Sequence, residues 1–224
     1  MKGKTIMAGL LMAVPTLAMA LPQLTFIGHA SVKIKAETGE VIYIDPYYPG
    51  ETAYSEPADY ILITHAHHDH NCPELCAKKE NCKIIKWSDA LVKDEYKVFE
   101  APNVKIEAVP SGGNKNHSLK DNVGFIVTVN GVSVYHGGDT SFAEETKSIA
   151  QKKPDYALYS VDGFYTKDPE EATRMADFIG ARVNIPIHGF KEDFVKQAKQ
   201  FHAKGTERLS PGQTIALKKE DAAK

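Results

Sequence analysis

Positive charge is not in excess in this 224-residue chain. Lysines and arginines number 27 against 29 acids, a formal charge of −2, so electrostatics gives no case for nucleic acid or an anionic membrane as partner. Beyond residue 20 no apolar run approaches the roughly 20 residues that cross a bilayer. Repeats, low-complexity tracts and linkers are absent, so residues 21–224 are expected to form one domain. Cysteine is scarce: Cys72, Cys76 and Cys82 fall in one short stretch without a CxxC pair. That makes a poor zinc site, and the odd count leaves at least one thiol unpaired or intermolecular. None of the three sits in a recognisable Cys/His frame, so no thiol nucleophile is expected.

The first twenty residues are of different material. Lys2 and Lys4 give a basic start, Ile6 to Ala20 is uncharged and mostly apolar, and Ala18-Met19-Ala20 is a small-x-small cleavage pattern. We read residues 1–20 as a secretory signal. Leu21 follows the cut where a lipoprotein would need cysteine. The mature protein is then expected to be exported, periplasmic or secreted, with no stable membrane insertion. Export permits a disulfide. Cys82 with one of the other two is the expected pairing, because a helix holds Cβ atoms one turn apart too far for an easy bridge.

Patterning divides the rest in two. Leu24–Gly28, Val32–Ala36 and Val41–Asp45 alternate or run apolar, with a turn at Thr38-Gly39-Glu40, and predict a strand meander. Further strands are expected at Tyr60–Thr64, Cys82–Lys86, Val104–Val109, Val123–Val129 and Val132–Tyr135, the last two joined by the Asn130-Gly131 hairpin turn. Pro73–Lys79 and Ser141–Lys152 read as helices. Asp168–Ile179 reads as a third, with Asp168 as N-cap, Pro169 at the first position, Glu171 closing a capping box and Gly180 ending it. Strands at Asp155–Val161, Val183–Ile187 and Thr214–Leu217 and a helix at Glu192–Ala203 complete the set. Strands first, then alternating helices and strands, suggest two packed sheets with helices outside, an αββα sandwich of mixed α/β class.

Chemistry concentrates in Thr64-His65-Ala66-His67-His68-Asp69-His70, directly after the apolar strand Tyr60–Thr64. In an extended segment His65 and His67 point the same way, and a turn then aims Asp69 and His70 at a neighbouring point. Imidazole and carboxylate are the donors that hold Zn²⁺ and its first-row neighbours. A solvated His-rich loop would spend strand stability on nothing.

This segment resembles the His-x-His-x-Asp-His mark of the metallo-β-lactamase superfamily, and further polar groups follow in the family's order. His117 lies in a Gly/Asn-rich loop, Gly137-Gly138-Asp139-Thr140 follows a strand, and Ile185-Pro186-Ile187-His188 ends another. The resemblance implies a four-layer αββα metallo-β-lactamase sandwich. It assigns His65, His67 and His117 to one metal, Asp69, His70 and His188 to a second, and Asp139 to a bridge between them. Two divalent ions are implied, zinc first, with manganese as the other choice. Phe26-Ile27-Gly28-His29-Ala30-Ser31, Tyr43-Ile44-Asp45-Pro46 and Tyr165-Thr166-Lys167-Asp168-Pro169-Glu170-Glu171-Ala172 look most like the branch of the ascorbate-6-phosphate lactonases. Gly189-Phe190 after the last histidine departs from that branch, which often has Tyr there.

The implied activity is metal-dependent hydrolysis of a small-molecule ester, lactone or phosphoester by a hydroxide held between the ions, with Asp69 orienting the nucleophile or moving a proton. Alternatives are an iron oxygenase of the persulfide-dioxygenase kind, a β-lactamase, or a non-catalytic metal-binding protein. Of the remaining residues, His68 is expected to face solvent or substrate. His136 suits a hydrogen bond to the site rather than ligation. His29 is read as a hydrogen-bonder or substrate contact, Asp45 as an orienter of the His loop, and His202 as surface. Asp162 and Thr166 are read as substrate contacts or helix-entry residues. Tyr47, Tyr48 and Tyr54 are read as a cover over the site or as packing.

Overall fold

The computed structural model describes residues 21–47, 51–189 and 191–219; the expected signal segment, Tyr48 and Phe190 lie outside the described residues. In chain order the elements are β1 (Gln23–Gly28), β2 (Ser31–Lys35), β3 (Val41–Ile44), β4 (Ala58–Ile63), β5 (Lys78–Lys86), α1 (Trp87–Ala90), β6 (Leu91–Val92), β7 (Glu95–Tyr96), β8 (Val98–Ala101), β9 (Val104–Pro110), β10 (Val123–Val129), β11 (Val132–His136), β12 (Tyr156–Ser160), α2 (Pro169–Ile179), β13 (Val183–Ile187), α3 (Lys191–Gln200) and β14 (Thr214–Ala216).

Two six-stranded sheets carry the fold, in the orders β14-β1-β2-β3-β4-β5 and β13-β12-β11-β10-β9-β8. Each begins antiparallel along the chain and turns parallel: β3, β4 and β5 run together, as do β11, β12 and β13. Leu24, Phe26, Ile34 and Ile42 of the first sheet share one apolar core with Ile106, Phe125, Val127 and Val134 of the second. Each such side chain contributes about 1.5–3 kcal/mol when fully buried. β12 is buried at all five positions, as expected for a parallel strand covered on both faces. Its outer cover includes α2. The outer face of the first sheet, through Ile27, Val41, Tyr43, Ile61 and Ile63, packs on Tyr54 and Cys76 of the connecting loops. Helical cover there is reduced to α1 and 3₁₀ turns at Glu51–Tyr54 and Pro73–Leu75.

Several local expectations are corrected. The helix from Pro73 to Lys79 stops after one 3₁₀ turn, because Ala77 donates to Tyr54 O and Ala58 donates to Ala77 O, drawing the chain into β5 beside β4. Cross-strand pairing outcompetes a short helix that had little to bury. The expected disulfide is absent: Cys72, Cys76 and Cys82 are all free thiols. Ser141–Lys152 is a 3₁₀ helix only over Glu145–Lys152. There the Thr146 hydroxyl donates to Ser141 O and Ala143 O, competing with a regular helical start. The capping box of α2 is half made. Asp168 Oδ1 accepts Glu171 N at 2.8 Å, but the Glu171 carboxylate accepts Phe142 N at 2.9 Å instead of closing on Asp168.

At one rim the two sheets are joined by two main-chain bonds and one from a buried histidine ring. Val123 N donates to Thr64 O at 3.0 Å, His188 N to His29 O at 2.7 Å, and His136 Nε2 to Ala30 O at 2.8 Å.

Candidate metal centre

At this rim the carboxyl ends of β3, β4, β11, β12 and β13 gather, the place where parallel strands of α/β sheets present their ligands. Asp45 follows β3, the His65–His70 segment follows β4, Asp139 follows β11, Asp162 follows β12 and His188 follows β13. Three non-glycine residues here adopt left-handed backbone: His29 at φ 53°, Asp45 at 49° and His188 at 64°. Such strain persists only where the surroundings over-determine it, and it clusters at functional sites.

All seven residues expected to ligate metal meet here. His67 Nδ1 lies 3.1 Å from His65 Nε2 and 3.2 Å from His117 Nε2. For zinc bound tetrahedrally at 2.0–2.1 Å, the edge between two nitrogens is roughly 3.3 Å, so this trio fits a zinc-sized ion. Asp69, His70 and His188 form the neighbouring group, and His29 joins it. Asp139 stands between: Oδ2 is 3.3 Å from His117 Nε2 and 4.0 Å from His65 Nε2, while Oδ1 is 3.3 Å from His188 Nε2 and 3.4 Å from His70 Nε2. The buried Nε2 atoms of His70 and His188 have no hydrogen-bond partner among the described residues. Buried polar atoms are rarely left so, and an ion would satisfy them.

Behind the donors, acceptors fix which nitrogen each ring presents. Asp45 accepts Thr64 N at 2.8 Å and Thr64 Oγ1 at 2.7 Å, and lies 2.8 Å from His70 Nδ1. Thr64 Oγ1 in turn lies 3.0 Å from His65 Nδ1. Asn114 Oδ1 lies 3.1 Å from His117 Nδ1, and Asp162 Oδ2 lies 2.9 Å from His188 Nδ1. The His65, His70 and His117 rings therefore have Nδ1 hydrogen-bonded and Nε2 aimed inward, the arrangement that holds metal-binding histidines in one tautomer, while His188 Nδ1 faces the Asp162 carboxylate as an ion pair. His29 Nε2 is 3.1 Å from Asp69 Oδ2 and steadies that carboxylate.

Charge divides along the same lines. Burial lowers the His65 pKa to about 3 and also lowers His117, keeping both neutral. Burial would lower His188 and His70 as well, but the Asp139 carboxylate outweighs it, raising His188 to about 9 and His70 well above its usual range. Burial would raise Asp69, yet the His29 hydrogen bond and the His70 charge hold it far below the normal carboxylate range.

The other expected residues find definite places. His136 is buried, with Nε2 on Ala30 O and Nδ1 accepting Gly138 N at 3.2 Å, so it supports the Asp139 turn from behind. Asp162 backs His188 and accepts the backbone N–H groups of Phe164 and Tyr165; Thr166 binds Asp162 and stays out of the cleft. Tyr54 is buried with its hydroxyl on Tyr47 O, a packing role. His202 is exposed. Tyr47, His68 and Tyr165 surround the donors in an open cleft of about 440 Å³ that reaches His67, Asp69, His117 and Asp139. Thr64, Asn114 and Lys167 were not anticipated. Lys167 is a fully buried lysine whose Nζ donates to Thr140 O at 2.8 Å, its pKa lowered by burial to about 8. No sequence signal distinguishes it from a surface lysine at a helix entrance.

Comparison with known proteins accords with this geometry. Residues 23–188 match the family model described as a beta-lactamase superfamily domain. A UPF0173 metal-dependent hydrolase of Methanoculleus marisnigri is 31% identical, covering 89% of this chain and 99% of its own length. Among solved structures, a protein of Parabacteroides distasonis described as a metal-dependent hydrolase superposes with a TM-score of 0.70 at 26% identity, over 84% of this chain and 91% of its own. One from Thermotoga maritima, described as a Zn-dependent hydrolase of the metallo-beta-lactamase superfamily, gives 0.58 at 25% identity, over 78% and 84%. These likenesses reach the superfamily and its hydrolases; they do not single out the lactonase branch. The chain belongs to the β-lactamase superfamily, among its metal-dependent hydrolases of metallo-β-lactamase fold.

Proposed function

We propose that this rim holds two divalent ions and hydrolyses a small ester, lactone or phosphoester. His65, His67 and His117 would hold one ion, Asp69, His70 and His188 the other, and Asp139 would serve both. The observation that carries the reading is the two-faced Asp139: its oxygens face two separate groups of inward nitrogens, most of them backed by an acceptor on the opposite ring atom. Nitrogen-rich donors favour zinc, the metal named for the Thermotoga maritima relative; manganese is the second choice.

When bound, such a pair would supply a strongly acidified water, with a pKa of about 7, and positive charge for the developing oxyanion. The protein's part is placement. Asp45, Asn114 and Asp162 hold the rings in register. Asp69, ionised and half-buried at the cleft floor, would accept a hydrogen bond from the nucleophile and orient it, with His29 fixing the carboxylate's orientation. His68 and Tyr47 stand at the mouth, where substrate enters.

The test is metal content by plasma mass spectrometry on residues 21–224, beside Asp139→Ala. We expect near two equivalents of zinc or manganese in the parent and clear loss in the variant. One equivalent of iron would favour oxygenase chemistry instead, and no bound metal would overturn the reading. We also propose export: protein recovered from outside the cytoplasm should begin at Leu21, and an intact Met1 there would refute cleavage.

A further inference from the structure

Beside the donors, the loop after β12 displays two large aromatic side chains to solvent. Phe164 is 70% exposed and Tyr165 54%, their ring centroids 4.6 Å apart and edge-to-face. Exposing such a pair forfeits burial that an apolar group lying against it would recover. The loop is firmly built. Asp162 Oδ1 accepts Phe164 N at 2.7 Å and Tyr165 N at 2.6 Å, while the same carboxylate backs His188. On the other side Asn116 Nδ2, next to His117, donates to Tyr165 O at 3.1 Å. The aromatic pair is thus indexed to both groups of donors. Tyr165 is shared between the 440 Å³ cleft and an adjoining groove of about 170 Å³, where Phe164 and Gln197 stand beside His188.

Charge points the same way. Among the described residues lining cleft and groove there is no lysine or arginine. The ionisable groups are histidines, the phenols of Tyr47 and Tyr165, and the carboxylates of Asp69, Asp139, Asp162 and Asp193. Many sites built for phosphoryl groups add Arg or Lys donors to share the charge, and the described wall here adds carboxylates and neutral donors instead.

Resting on the hydrolase reading above, we propose that the substrate is an uncharged carboxylic ester or lactone carrying an apolar group, an aromatic ring or short alkyl chain, that lies against Phe164 and Tyr165. Hydrolysis breaks the acyl carbon–oxygen bond. The oxygen of water joins the acyl carbon, one of its protons passes to the departing alkoxide oxygen, and the new acid loses the other at neutral pH.

The experiment uses residues 21–224 loaded with zinc, Phe164→Ser/Tyr165→Ser, and the conservative Phe164→Leu. Rates on methyl 4-phenylbutanoate, methyl acetate and methyl 4-nitrophenyl phosphate are followed by pH-stat, and calorimetry measures binding of the unreactive, neutral 4-phenylbutanamide. We expect the phenyl ester to exceed acetate in kcat/KM. The double variant should lower that ratio about tenfold, mostly through KM, and weaken amide binding about tenfold, while Phe164→Leu retains most of both. A ratio and an amide affinity unmoved in the double variant, or a phosphodiester preferred over both esters, would overturn the inference. Acetate cleavage that needs metal but gains nothing from the phenyl group would sink the inference and leave the hydrolase. Amide binding lost in the variant without turnover of any ester would support the apolar subsite and count against hydrolysis alone.

Discussion

Asp45→Asn probes the support of the site without touching a donor. Asparagine tolerates the left-handed backbone of position 45 (φ 49°) about as well as aspartate does, so the change isolates hydrogen bonding. Asp45 is fully buried and accepts from Thr64 N, Thr64 Oγ1 and His70 Nδ1. An amide keeps one oxygen. If it faces Thr64 N, the NH₂ confronts Thr64 Oγ1 and His70 Nδ1, both of which need an acceptor. Two buried hydrogen bonds are then lost at about 1–3 kcal/mol each, so stability should fall by about 2–6 kcal/mol. His70 can accept at Nδ1 only by moving its proton to Nε2, where metal should sit, so zinc affinity at its group should fall about 10–100-fold. Urea unfolding in the presence of a chelator reads the first effect, and calorimetric zinc titration the second. Although burial favours the neutral acid, the facing His70 lowers the Asp45 pKa below its ordinary 3.8. Its contribution is therefore present above pH 3.8 and lost as pH falls through the folded value, and parent and variant should converge in acid. A stability change under about 0.5 kcal/mol together with unaltered zinc binding would refute the reasoning.

Other outcomes follow from the same geometry. In the metal-free protein the His188 pKa is raised to about 9, so its stabilising charge is fully present below pH 6.5 and lost as pH rises through 9. With His70 charged as well, zinc binding at pH 7 should expel about two protons, seen by calorimetry in buffers of different ionisation heat; no release would contradict this. Gly138→Ala should cost at least about 2 kcal/mol in chemical unfolding, because φ is +56° and a Cβ would stand 2.9 Å from Thr64 Cβ; a neutral result would mean the Asp139 turn is loose. Burial pushes the Cys76 thiol up to about 12, whereas Cys82 is only partly buried. Native protein at pH 8 should therefore alkylate at Cys82 first, with all three thiols reacting after unfolding without reductant; fewer than three would reveal a disulfide.

The site was legible where donors are local or end a strand. His65 to His70 is one contiguous segment, and Asp139 and His188 each follow an apolar run that could only be a strand. The supports were less visible because they depend on pairing across the fold. Asn114 matters only because its loop folds back on His117, and Lys167 is buried only because its loop runs under Thr140. Local rules failed where tertiary contacts offered more. Pro73–Lys79 carries helix signals, but β4 had an open edge for it. Glu171 is placed for a capping box, but Phe142 N reached it first.

The three bonds that cross between the sheets at this rim, two of them between main-chain atoms and one from the His136 ring, have a kinetic meaning. They tie Thr64, His29 and Ala30 to the opposite sheet through protein atoms alone, the first two through main chain and the third through the buried His136 ring, so the spacing of the cup does not wait for its cargo. Loading should then be a fast encounter with a finished receptacle rather than a folding event, and ions should swap without the chain opening. Which metal sits there becomes a matter of local supply at each exchange, decided repeatedly over the life of the molecule and not once at its birth.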